Sequence, residues 1–426
     1  MKKTENIFGF VLLALSLVLG KRFLASDMLF FRLVIGLALG YTLTRAYTGF
    51  AGSVNRAFNT GSTRLMKALM FMFFITSVLT AAFLYKSGMA PGEMEFGLWI
   101  NPISLGLIFG GMLFGFGMAF SSCCASGVLT DLITGLPRAL VTLIFFSMGV
   151  YIGFPLAATD FATKSFVTSE VGAMTGRNGV FLPDLFKWDG LNGYLGAIIL
   201  TGLLCGLVVV LSNYYESKRK KEGTYTSHFA ENMQDNVADK KVDTTDYNVM
   251  AQSTYERVFV NAWSLKMGSV VIAIIFALLM GVTKTGWGAS TPYGIWFGKA
   301  LMVFGVSPES IANYTKMSAE AFQTPFFQHG VSVQNFGILI GTAIYLLTAG
   351  KFSTTFMSEM NLTFRQALLF ALGGLTMGIG TRLSNGCNVG GLYTPIAHFS
   401  LSGWVFLVVM VIGGVIGNIF AKKWSE

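Results

Sequence analysis

Apolar residues in this chain do not alternate with polar ones; they run together. The stretches 28-MLFFRLVIGLALGYTLT-44, 66-MKALMFMFFITSVLTAAFLY-85 and 402-SGWVFLVVMVIGGVIGNIFA-421 hold at most one charged residue each. A helix needs about 20 apolar residues to cross a bilayer. The pattern predicts spans at 7–24, 28–47, 66–86, 104–121, 138–156 and 191–213, then at 264–283, 333–350, 364–383 and 402–421. The pieces 49–61, 125–136, 286–303, 314–328 and 388–398 are too short or too glycine-rich to span. They read as re-entrant half-helices, which exist at membrane depth only when buried in protein. A membrane barrel would show alternating segments of about ten residues, and none is present. The expectation is an all-α polytopic membrane protein with about 9–10 transmembrane helices and short re-entrant helices.

One segment breaks the pattern. Residues 214–261 are polar, with 218-KRKK-221 and 235-DNVADKKVDTTDYN-248, and read as a flexible linker. The chain divides into an N-terminal membrane half (1–213), this linker, and a C-terminal half (262–426). The linker's seven basic and eight acidic residues nearly cancel. The excess of 30 Lys and Arg over 21 Asp and Glu therefore belongs to the membrane part. Lys2-Lys3, the KRKK cluster and Lys422-Lys423 put both termini and the linker on the cytoplasmic side. No small-residue cleavage site follows the first apolar run, so it reads as a retained span.

The chain also repeats itself. Laid without gaps, 110-GGMLFGFGMAFSSCCASGVL-129 matches 373-GGLTMGIGTRLSNGCNVGGL-392 at Gly110/Gly373, Gly111/Gly374, Gly115/Gly378, Gly117/Gly380, Ser121/Ser384, Cys124/Cys387, Gly127/Gly390 and Leu129/Leu392. Glycine matches are cheap among 50 glycines; a cysteine on a cysteine, with four in the chain, is not. The first repeat covers about 28–156. Equivalent spans stand five apart in the predicted order, so they run in opposite senses and the repeats are expected to be inverted, with a site near the midplane where they meet.

Each copy reads apolar helix, small polar break, cysteine, glycine, short apolar segment. A helix starting after a break would aim N–H groups and its positive dipole end back at it. Candidate substrate-binding residues are Cys123, Cys124, Ser121, Ser122, Arg382, Ser384, Asn385, Gly386, Cys387 and Asn388. A thiol is a weak donor and a soft ligand, suited to a sulfur or selenium atom. A cysteine in a membrane helix is more often a small packing residue, and Cys205 reads that way. Two cysteines at matched breaks favour function over packing. His398 reads as satisfied by its neighbours. No histidine–cysteine spacing suggests metal, no phosphate loop or catalytic triad is seen, and no cofactor is called for.

At these residues the chain resembles the YeeE/YedE sulphur-transport family, in 377-MGIGTRLSNGCNVGGLYTPIAHFSLSGWVF-406, 49-GFAGSVNRAF-58 and 110-GGMLFGFGMAFSSCCASG-127. The resemblance implies a bacterial inner-membrane protein with inverted repeats and short helices meeting at its centre. It implies transport of a thiosulfate-like anion, relayed by S–H···S hydrogen bonds at central cysteines, here Cys124 and Cys387. The family's transporters carry a third cysteine in the N-terminal motif; 45-RAYTGFAGSVNRAF-58 has none. A selenium compound is the companion reading for cargo, and a cytoplasmic sulfur-carrier protein is an expected partner. Nucleic acid is not. Two other classes stay open: a membrane thiol-redox protein cycling Cys123-Cys124, and a permease or structural membrane protein unrelated to sulfur. The favoured reading is a transporter rather than an enzyme.

Overall fold

The structure is a computed structural model that describes residues 3–85, 87, 94–121, 123–238, 248 and 250–425. Helices α1 (Lys3–Phe23) and α2 (Asp27–Arg45) precede a short α3 (Gly52–Thr60). Then come α4 (Arg64–Leu84), α5 (Leu105–Ser121), the short α6 (Gly127–Thr134) and α7 (Leu136–Ala157). Two small helices, α8 (Asp160–Thr163) and α9 (Glu170–Met174), lead to α10 (Tyr194–Lys221). The middle of the chain holds α11 (Phe229–Ala238) and α12 (Gln252–Tyr255). The second half runs α13 (Leu265–Thr283), α14 (Thr291–Val303), α15 (Pro308–Thr315), α16 (Ala319–Gln323), α17 (Gly330–Thr348), α18 (Phe352–Phe356) and α19 (Phe364–Leu383). A π-helical turn at Asn388–Tyr393, α20 (Thr394–Ala397) and α21 (Leu401–Ser425) close it. Among the described residues there is no strand; two isolated bridges join Gly97 to Thr285 and Phe181 to Ser400.

Among the described residues nine helices are long and apolar enough to cross a membrane, and α5 is a shorter apolar helix; at 17 residues it is about 26 Å long. Each predicted span has its helix. Local signals set several starts: Ser26 accepts from the Leu29 N–H, Ser264 from Met267, and Thr363 with Gln366 forms a capping box.

Glycines carry the packing. A Cβ on Gly110 would stand 2.8 Å from the Gly380 carbonyl, and one on Gly380 2.6 Å from the Gly110 carbonyl. Gly117 and Gly373 meet in the same way, at 2.4 and 2.7 Å. Because Gly110 is equivalent to Gly373 and Gly117 to Gly380, this is a self-reciprocal contact between equivalent helices, α5 and α19. The two run antiparallel. A two-fold relating antiparallel helices lies perpendicular to them, hence in the membrane plane, and the repeats are inverted. The neighbours obey the same operation: α7 packs on α19 as α21 packs on α5, and α2 on α17 as α13 on α4. At the α2–α17 crossing, a Cβ on Gly40 would lie 1.9 Å from the Ile338 carbonyl and one on Gly341 2.1 Å from that of Leu37. Small residues there let backbones touch where lipid supplies no hydrophobic drive between helices.

The middle segment differs from its composition. α10 continues past 213 to Lys221, and α11 is docked. Ser62 donates to Glu231 at 2.6 Å, Thr63 to Glu216 at 2.7 Å, and Arg64 grips Asp235 at 2.7 and 2.9 Å. Buried Arg45 donates to the carbonyls of Arg257, Val258 and Asn261 and lies 4.5 Å from the Trp263 ring. A flexible tether is therefore the wrong description of 214–238; polar residues were read as solvated when they pair with the membrane half. Residues 239–247 and 249 lie outside the described residues.

Gly380→Val and Gly40→Val are each expected to destabilise the bundle by about 1–3 kcal/mol or more through overpacking. Gly206→Val, where an added Cβ meets nothing within 4 Å, is expected to leave the thermal midpoint of the detergent-solubilised protein unchanged.

Candidate functional site

The two breaks are built by one device. Ser121, in the last turn of α5, donates to the carbonyls of Gly117 (3.1 Å) and Cys123 (3.2 Å). Ser384, just past α19, reaches those of Gly380 (2.7 Å) and Gly386 (3.1 Å). The four carbonyls are repeat equivalents. Each hydroxyl ties the end of a crossing helix to the turn beyond it, which satisfies backbone groups that lipid would leave orphaned. Asn385 completes the second break in a left-handed conformation (φ 58°). Gly386 is packed so closely that a Cβ would meet Gly390 and Gly391 at 2.3 Å.

Beyond the breaks sit the cysteines, and all four in the chain are free thiols. Cys123, Cys124 and Cys387 are buried. Cys124 lies 3.4 Å from the Ser126 hydroxyl. Cys387 stands at the opening of the π-turn Asn388–Tyr393. Cys124 and Cys387 are within electrostatic reach of each other. Tyr293 is within reach of both and of Cys123, and its hydroxyl donates to the Ala125 carbonyl.

The remaining candidates are placed as follows. Arg382 donates to Ser290 (2.7 Å) and Thr291 (3.1 Å) at the start of α14, and lies within electrostatic reach of Cys387. Its Nε is buried without a protein partner. Asn388 Nδ2 points at the Met118 sulfur at 3.2 Å, and its Oδ1 is unpartnered. The Nδ2 of Asn385 is likewise unpartnered. Ser122 lies outside the described residues. His398 is only half satisfied: Nδ1 accepts from the Trp99 N–H at 3.0 Å, and Nε2 finds no partner.

Residues not singled out from sequence join this centre. Trp287 and Tyr293 are fully buried beside it, and Trp287 Nε1 is unpartnered. Asn335 donates to the Ala289 carbonyl at 2.9 Å and keeps a free Oδ1. The glycine-rich 286-GWGASTPYG-294 held the only signal for Tyr293; nothing in the sequence marked Asn335. The buried N–H and C=O groups left unpaired around Cys387 are what a water or polar solute would occupy.

A cavity of about 770 Å³ reaches Cys123 and Cys124 from the linker side. Arg56, His228, Phe229, Met233, Lys351 and Glu359 are among its lining residues; Cys387 is not. Asp131, at its wall, pairs with Arg138 at 3.2 Å, and Arg138 with Glu359 at 3.2 Å. Among the described residues no three His, Cys, Asp or Glu gather as a metal site.

Inverted repeats meeting at two broken helices define a polytopic α-helical membrane protein with an architecture that many transporters share. Residues 45–416 match the Sulphur transport family, and the chain belongs to it. It is similar to the Probable transporter YedE of Escherichia coli (strain K12), 28% identical over 167 residues, 38% of this chain and 40% of that protein. The YedE of Salmonella typhimurium gives 29% over 168 residues, with the same shares. These matches thus span well under two thirds of either relative. The Thiosulfate transporter TsuA of Spirochaeta thermophila is 24% identical over 323 residues, 74% of this chain and 77% of that protein.

His228, at the cavity mouth, is held down to about 4 by partial burial and by the nearby Arg56 charge. Its folded value lies below its unfolded one, so the native state binds fewer protons there. Stability from this group is present above about pH 6.5 and lost as pH falls toward 4. The thermal midpoint is expected to drop less between pH 7 and pH 5 in His228→Gln than in wild type.

Proposed function

We propose that the chain carries a small sulfur-containing anion of the thiosulfate class across the membrane, through the buried thiols of Cys124 and Cys387. The observation that carries the reading is the pairing of these cysteines by an inverted-repeat two-fold, each at a helix break clamped by an equivalent serine. The match to the Sulphur transport family and the similarity to a thiosulfate transporter support the cargo class. An anion leaving water needs donors. Free thiols, the Cys387 turn and the unpaired N–H of Trp287, Asn385 and Arg382 offer them. Thiol donors are weak, so they hold a soft anion without trapping it, as conduction requires. Ser121 and Ser384 serve in this reading by holding the turns rather than by touching cargo. Cys123, Gly386 and Asn388 remain neighbours of the path.

The cavity supplies the route from the linker side to Cys123 and Cys124. In this reading the linker and both termini are cytoplasmic in a bacterial inner membrane, and a sulfur-carrier protein meets the ion at the cavity mouth.

The test is uptake of labelled thiosulfate, selenite and sulfite into proteoliposomes. Cys124→Ala and Cys387→Ala are expected to cut thiosulfate uptake by about tenfold or more, the scale of one lost hydrogen bond to a charged group. Both variants should elute as monodisperse protein. Wild-type uptake by folded Cys387→Ala would overturn the thiol path. Uptake of selenite in preference to thiosulfate would keep the path and change the cargo.

A further inference from the structure

The two-fold that relates the breaks does not extend to what lies over each cysteine. Gly127 and Gly390 are equivalent, each following its cysteine by three residues. A Cβ on Gly127 would meet only its own turn, Cys123 at 3.4 Å and Cys124 at 3.7 Å, and Gly127 lines the linker-side cavity. A Cβ on Gly390 would strike the Trp99 ring at 2.9 Å. The same ring stands 2.7 Å from a Cβ on Gly288. The indole is thus wedged between the π-turn that holds Cys387 and the glycine-rich entry to α14.

Trp99 is held from several directions. Its N–H donates to His398 Nδ1 at 3.0 Å, and its Nε1 to Thr285 at 3.3 Å. The Arg177 guanidinium lies 5.3 Å from its ring centre, fixed by a 2.8 Å bond to Asn101. The neighbouring Gly97 N–H pairs with the Lys284 carbonyl at 2.8 Å. On the opposite face, then, Cys387 is covered by a stack of Gly390, Trp99 and Arg177, whereas Cys124 is open to a large cavity.

We infer that Trp99 is the gate residue on the face away from the linker: its indole, clamped by Arg177, closes the route to Cys387 and swings aside for an anion to pass. The structure is the state open toward the linker. An aromatic wedge on glycines suits the role, because a planar ring seals a passage between two backbones and leaves by rotation about two side-chain bonds. Arg177 contributes a cation–π contact to the closed position. It is also a cation at the entrance, placed to receive the anion as the ring moves. The gate gives the permeation reading above its second door, but closure over Cys387 can be measured without any cargo.

The experiment uses full-length chains whose only cysteine is Cys387 or Cys124, in sealed vesicles of known orientation, with a membrane-impermeant maleimide added to one face. With Trp99 present, Cys387 is expected to react slowly from the face away from the linker. Trp99→Ala is expected to raise that rate by about tenfold or more, since a closed gate opens in a minor population of roughly 0.1–10%. Arg177→Gln should raise it less, and Trp99→Phe, which keeps a ring in the wedge, should stay near wild type. Reaction of Cys124 from the linker side reports an intact fold. Where Trp99→Ala alters that control, Arg177→Gln decides. Wild-type labelling of Cys387 in a folded Trp99→Ala or in Arg177→Gln overturns the gate. Loss of thiosulfate uptake in every form, with gated labelling retained, would overturn the cargo reading and leave the gate standing.

Discussion

A backbone that leaves helical geometry inside hydrocarbon must find its hydrogen-bond partners within the protein. The centre of this molecule depends on that constraint. Two crossing helices end at membrane depth, and the chain turns back on itself beyond each. One serine per break makes this possible, tying a helix-end carbonyl and a turn carbonyl together. The glycines of α5 and α19 let these two helices touch backbone to backbone.

Symmetry supplies a path and asymmetry supplies a direction. Two identical halves would leave both doors open or both shut. The chain departs from identity in its loops and linker rather than in its crossing helices. On one face, α11 docks beside a cavity without filling it. On the other, the Trp99 ring packs against Gly390 and Gly288. These elements lie outside the crossing helices, and so they can differ without disturbing the core. The cost of moving them is a few hydrogen bonds and one cation–π contact, small against the packing of ten helices.

The crossings were legible because bilayer thickness imposes a minimum apolar length that few other structures need. The repeat was legible because rare cysteines and serines coincide at one offset. The middle segment was misread: Glu216, Glu231 and Asp235 look solvated by composition, and only their pairing with Thr63, Ser62 and Arg64 shows otherwise. Asn335 and Trp99 gave no signal at all. Trp99 lies far along the chain from Cys387, and a single side chain carries no mark of what folds against it.

The sequence by itself determined that the chain spans a membrane, that it is built twice over, and that the two copies share a cysteine at a break. These follow from local rules: apolar length, residue identity and spacing. The tertiary structure decided that the copies are inverted, since only the reciprocal Gly110–Gly380 and Gly117–Gly373 contacts show equivalent helices running antiparallel. It also decided which cysteine faces a cavity and which is covered. That depends on where a loop residue such as Trp99 comes to rest, and its position is set by contacts with Gly288, Gly390 and Arg177, which no pattern along the chain encodes.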